Sequence, residues 1–224
     1  MSETQNHSLV SREVLDRIQR VLQPSENGCL VRRRLPDSLV EIANEIQGLE
    51  AFERTVRVRN DAEINWLLAP FEQLASERLR ADMVGCVEAF VALNSGAPIV
   101  ASLVLTRGDD CRKYHVDWVG LRLLITYSGP GTEWVPEHAV NRFALSEPWH
   151  DLEEINRAIV PDRSQVVRAG AGDVLVLKGE SYPGNQGRGA VHRSPPIAGG
   201  RVARLVFKLT SPTKFHGRST AREC

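Results

Sequence analysis

The spacing of apolar residues changes once along this chain, at Pro98, and that change limits the folds open to it. Upstream, apolar side chains recur every three or four positions. "SREVLDRIQRVL" puts Val14, Ile18, Val21 and Leu22 on one stripe, "DSLVEIANEI" opens at a capping Asp37, and "DAEINWLLAPFEQLASERLRADMVGCVEAFVAL" starts at the Asn60-Asp61 cap signal. Pro70 lacks the N–H that a helix interior needs, so a break is expected near Ala69. The turn "NSGAP", residues 94–98, closes this half. Downstream the runs are short, aliphatic or β-branched, and separated by Gly, Pro, Asp and Asn: "IVASLVLTRGDD", "LRLLITYSGPG", "SQVVRAGAGDVLVLKGE" and "RVARLVFKLT".

Several short strands with turn signals between them, and no strand–helix alternation, exclude a doubly wound parallel sheet. The expected class is α+β. Residues 1–97 form a helical layer packed on a small β-barrel or jelly roll spanning 98–212, and 213–224 form a polar tail.

Lys and Arg total 28 and Asp and Glu total 28, so no net charge attracts nucleic acid or an acidic membrane, and neither partner is expected. The basic run "VRRRLP" reads as a solvated strand edge. Four cysteines, at 29, 86, 111 and 224, form no CxxC pair. "MSETQNHSLV" has no basic-then-apolar leader, and no apolar run is long enough to span a bilayer. Together these predict reduced thiols and a cytoplasmic location.

The chemistry concentrates in "CRKYHVDWVGLRLLITYSGPGTEW", residues 111–134. In an extended strand, Lys113, His115 and Asp117 share one face and Tyr114, Val116 and Trp118 the other. An imidazole and a carboxylate facing a barrel interior need a partner there. His192 in "GAVHRSPP" is the best third ligand, because it follows the strong strand "GDVLVLKGE" after a Gly-rich excursion, "SYPGNQGRG", that could return the next strand alongside it. Two imidazoles and one carboxylate form a facial triad, which leaves positions on Fe(II) for a co-substrate and oxygen.

His138 and His150 lie in a polar, loop-like insertion, "WVPEHAVNRFALSEPWHDLEE", and are reserve ligands only. The same insertion supplies candidate substrate contacts in Trp134, Asn141, Arg142 and Trp149. Glu133 reads as a strand-edge charge rather than a catalytic acid. No GxSxG or motif-like cysteine supports a hydrolase, and neither "GPG" nor "GNQGRG" opens a helix as a phosphate loop must.

"HVD" before an apolar strand and "GPGTEW", then "GDVLVLKG", then "HRSPPIAGGR" before a last strand, resembles the core of the iron(II)/2-oxoglutarate-dependent dioxygenases. The resemblance covers residues 99–210 and implies a double-stranded β-helix core; the whole chain also resembles an uncharacterised bacterial family. It implies His115, Asp117 and His192 as iron ligands and catalytic residues, with an arginine after the distal histidine on the far carboxylate of 2-oxoglutarate. Arg204 and Arg201 compete for that role, and Arg204 is preferred because Arg201 directly follows Gly199-Gly200.

The family's hydroxyl two positions beyond that arginine is replaced here by Val206 or Ala203, which leaves Tyr127 or Thr126 to supply it. The implied activity is hydroxylation of an unknown small-molecule or protein substrate. A metal-binding or metal-sensing cupin-like protein without oxygenase turnover is the alternative.

Overall fold

The computed structural model describes residues 12–35, 46–71, 73–95, 98–197 and 202–211. The helix expected from Asp37, Arg201, Cys224 and the tail 213–224 lie outside the described residues.

Of the first apolar stripe, Val14, Ile18 and Val21 are buried together, whereas Leu22 is exposed. Residues 12–18 are α1, followed by a 3-10 turn at Gln19–Leu22. Asn60 caps α2 (Asp61–Leu67): its side-chain oxygen accepts the Ala62 N–H at 2.8 Å, and the Glu63 carboxylate accepts the Asn60 N–H at 2.9 Å. Pro70 falls between α2 and α3 (Gln73–Leu93), where its missing N–H costs no helical bond. On α3, Leu79, Met83, Cys86, Phe90 and Leu93 are buried on one face.

The described residues contain nine strands: β1 (Gly28–Val31), β2 (Phe52–Val58), β3 (Ile99–Thr106), β4 (Leu121–Ser128), β5 (Glu133–Val135), β6 (Val167–Arg168), β7 (Val174–Lys178), β8 (Val191–Arg193) and β9 (Arg204–Thr210). They make a six-stranded antiparallel sheet in the order β1-β7-β4-β9-β3-β2 and a three-stranded sheet in the order β6-β5-β8. His115 joins the small sheet through an isolated bridge to His192 in β8. From β3 onward the chain thus visits large, small, large, small, small, large, small and large sheets in turn, which is the double-stranded β-helix.

The stretch 1–97, expected as a helical region packing on the core, also contributes β1 and β2, which form the two edges of the large sheet. "FERTVRV" does alternate half-buried with exposed residues, but it is short and sits between stronger helical patterns. The insertion after β5 also differs from the expected polar loop. It folds into α4 (Arg142–Leu145) and α5 (Leu152–Ile159), and Ile155 and Ile159 pack with Tyr114, Val135 and Val191 on the small sheet's outer face.

The large sheet is covered on both faces. Leu121, Leu123, Ile125 and Tyr127 of β4, with Leu205, Phe207 and Leu209 of β9, pack on the N-terminal helices. The alternate residues Leu124 and Val206 face the other way, into the space between the sheets, beside Leu175, Leu177, Ala190 and Trp134. Burial on both sides explains why "LRLLITYS" is nearly continuous in apolar character.

The basic run also departs from its expected role as a solvated edge. Arg33 forks onto Asp82 of α3 at 2.5 and 2.7 Å and donates from Nε to the Gly172 carbonyl, while the Tyr127 hydroxyl donates to the same carboxylate at 2.7 Å. This ties the chain after β1 to α3, β4 and the turn before β7. Removing one partner leaves the others buried and uncompensated, so Asp82→Ala is expected to lose about 3–5 kcal/mol in urea unfolding; a loss under about 1 kcal/mol would assign the clamp no structural weight.

Candidate metal centre

The two histidines meet through their backbones. His115 N–H donates to the His192 carbonyl and His192 N–H to the His115 carbonyl, both at 3.0 Å. Directly opposed residues of an antiparallel pair project to the same side, so the imidazoles lie together with centroids 4.5 Å apart. Each ring is locked: His115 Nδ1 lies 2.8 Å from the Lys113 carbonyl, and His192 Nδ1 lies 3.0 Å from the Ala190 carbonyl. A carbonyl only accepts, so both Nδ1 atoms carry the proton and both Nε2 lone pairs face inward.

Asp117 completes the group. Its Oδ1 lies 3.8 Å from His115 Nε2 and its Oδ2 lies 3.2 Å from His192 Nε2, and the three ligand atoms fall within 4.8 Å of one another. Burial would raise the pKa of this carboxyl, but His192 when its ring is protonated, then Arg122 and a protonated His115, outweigh it and hold it well below the usual carboxylate range; with both Nε2 atoms unprotonated, a bound cation would take over that role.

The expected regular strand over 113–118 is not present. Only His115 is bridged, and Lys113 turns away to donate to the Leu145 carbonyl. Asp117 instead sits in a turn pinned by the end of β7: Glu180 N–H donates to the Asp117 carbonyl at 2.8 Å, and a Cβ on Gly179 would stand 2.2 Å from the Val119 oxygen. The excursion after β7 likewise carries His192 across to the small sheet rather than back alongside β7. Asn156 of α5, fully buried, accepts the Tyr114 N–H and donates to the Arg112 carbonyl, steadying the approach to His115. Its signal in the sequence is a lone amide on the apolar stripe of "LEEINRAI".

The triad opens onto a cavity of about 710 Å³. Arg204, the first residue of β9, lines it and is only 5% exposed. It donates to the Pro130 carbonyl (2.9 Å), Ser194 Oγ (3.3 Å) and Thr132 Oγ1 (3.0 Å), and no carboxylate pairs with it among the described residues. Burial pulls its pKa down to about 10, partly offset by Asp110 and Cys111.

The hydroxyls near Arg204 therefore come from Thr132 and Ser194. The first lies in the quoted "GPGTEW" and the second is two residues beyond His192, just past the end of β8. Tyr127 is excluded, because its ring lies on the helix side of the sheet with its hydroxyl on Asp82. Thr126 is buried opposite Val206 and does not line the cavity.

None of the rim candidates lines the cavity either. Trp134 is packed between the sheets, Arg142 pairs with Glu137, and Trp149 stands beside Lys113. Asn141 is exposed, and its backbone N–H donates to the Ile159 carbonyl. His138 contacts Gln165 and His150 is exposed, so neither reserve histidine joins the cluster. The cavity lining includes instead Phe52, Glu53, Thr106, Asp110, Trp118 and Lys208.

Residues 13–210 match the profile of a family described as a protein of unknown function, DUF1826. The chain belongs to that family. No curated protein sequence matches it. Among solved structures, this DUF1826 chain is similar to AviO1 from Streptomyces viridochromogenes Tue57, at 17% identity over 93% of this chain and 97% of that one, with a TM-score of 0.46. It is also similar to the dioxygenase for auxin oxidation 1 from Arabidopsis thaliana in its 2-oxoglutarate complex, at 8% identity over 97% and 94% and a TM-score of 0.45. A third is the Fe(II)/α-ketoglutarate-dependent dioxygenase TqaL, at 12% identity over 95% and 92% and a TM-score of 0.49. No described helix is long and apolar enough to cross a membrane.

Glu133, expected at a strand edge, is buried and saturated. It accepts from Arg193 at 2.7 Å, Arg168 at 2.9 Å and the Tyr114 hydroxyl at 3.0 Å. Burial would raise its pKa, but the bonds from Arg193 and Arg168 lower it. A depressed folded pKa stabilises fully above the ordinary carboxyl value of 4.5 and is lost as pH falls through the folded one. Glu133→Gln is therefore expected to lower urea stability at pH 7 and to flatten its decline below pH 4.5; an unchanged acid limb would refute this role.

Proposed function

We propose that this chain is a non-haem Fe(II)- and 2-oxoglutarate-dependent oxygenase acting on a small-molecule or protein substrate. The observation that carries the reading is one cavity holding both the His115–Asp117–His192 cluster and the Arg204 guanidinium, which is buried and pairs with no carboxylate among the described residues.

The residues fit the metal. Both imidazoles have committed Nδ1 and offer Nε2, and Asp117 Oδ2 is buried without an aligned hydrogen bond although Arg122 and His192 stand close. Two nitrogens and one carboxylate suit a divalent iron and leave coordination positions open. When bound, iron with 2-oxoglutarate and oxygen supplies the oxidation that removes hydrogen from an unactivated carbon.

The protein's own part is binding and orientation. Arg204 presents a planar fork to a carboxylate, with Thr132 and Ser194 fixing its plane. A dianionic co-substrate would offset a buried positive charge that is in direct contact with no carboxylate among the described residues. Leu124, Val104 and Val206 on the cavity wall limit water around the reacting carbon.

One observation favours the second reading, a metal-binding or metal-sensing protein without turnover. Three guanidinium donors of Arg204 are already engaged by Pro130, Ser194 and Thr132, which leaves fewer for a ligand.

Anaerobically iron-loaded protein given 2-oxoglutarate and oxygen is expected to release succinate, and His115→Ala to release none. Arg204→Met is expected to keep the metal and weaken 2-oxoglutarate binding by about two orders of magnitude. Metal retention with neither succinate nor an optical band from 2-oxoglutarate at the iron would decide for the second reading.

A further inference from the structure

We infer that Arg122 is a positioning residue for the metal site, whose guanidinium holds the Asp117 carboxylate in the orientation that presents it, with His115 and His192, to a divalent cation. The inference rests on the metal site proposed above and adds to it a fourth side chain that does not touch the metal.

The argument starts from how unequally the three ligands are held. Each imidazole is fixed twice, by the backbone bridge and by an Nδ1 bond to a carbonyl. Asp117 has neither support. It lies in a turn rather than a pleat, only its backbone is pinned, and its Oδ2 receives no aligned hydrogen bond. A carboxylate free to turn about its side-chain bonds loses rotamer entropy when it must meet a cation in one geometry.

Arg122 is placed to remove that freedom. It is the second residue of β4 and projects into the space between the sheets, where Leu124, Leu177 and Val206 supply apolar walls. It is 8% exposed, and its Nη1 lies 2.8 Å from Asp117 Oδ2. A guanidinium there would be costly without a counter-charge, so each group restricts the other.

Two effects oppose each other at this distance. The guanidinium's positive charge repels an incoming cation, whereas its grip on Asp117 prepares the ligand. Outer partners of metal ligands are typically worth 10- to 100-fold in affinity, which places orientation ahead of repulsion.

Cobalt(II) is the probe, since its affinity and its visible absorption report ligand geometry without turnover. Arg122→Met is expected to bind it 10- to 100-fold more weakly with an altered visible band, and Arg122→Lys, which keeps the charge but not the fork, to fall between Met and wild type. Urea unfolding of the metal-free variants separates a fold defect from a site defect, and if Met unfolds, the Lys variant decides. Unchanged or tighter cobalt binding in a folded variant overturns the inference and leaves the metal site standing. No binding by the wild type overturns the metal site and the inference together.

Discussion

The reciprocal pair of hydrogen bonds between His115 and His192 is the interaction on which the rest depends. It attaches a segment with no strand of its own to the edge of the small sheet, beside β8. Two residues more than seventy positions apart in sequence acquire a shared face from that register alone. A slip by one residue would turn one imidazole to the outer face, where Tyr114 and Val191 pack on α5.

The charges of the interior divide by how completely they are matched. Glu133, on the outer face of the small sheet, accepts three donors and is part of the frame. Asp82, between Arg33 and Tyr127, is likewise saturated. Around the cavity the matching is incomplete: among the described residues Arg204 finds neutral oxygens but no carboxylate, and Asp117 has Arg122 close by without an aligned bond to Oδ2. Full satisfaction marks structure, and the incompletely matched groups of opposite sign line the cavity that the three candidate ligands share.

Much of the frame was readable beforehand because it follows local periodicity. The Asn60 cap, the break at Pro70, the apolar stripe of α3 and the strands after Pro98 depend on neighbours in sequence. The two edge strands β1 and β2 were not readable, because a short strand at the end of a sheet needs little apolar alternation of its own and is held by its partner's backbone. The roles of Arg33 and Glu133 were misread for a related reason. A charged residue carries no local sign of burial; that is set by the partner it meets across tens of residues.

At the site, residue types and spacing pointed to two imidazoles and a carboxylate in the β-rich half, and the family resemblance added an arginine near the head of the last strand. Which hydroxyls meet that arginine, that Tyr127 faces the helices, and that Arg122 lies against Asp117 were decided only by tertiary structure. The physical reason is that pattern along a chain records what a residue does for its own helix or strand. Convergence between sheets is a property of register and packing, which no stretch of the chain carries by itself.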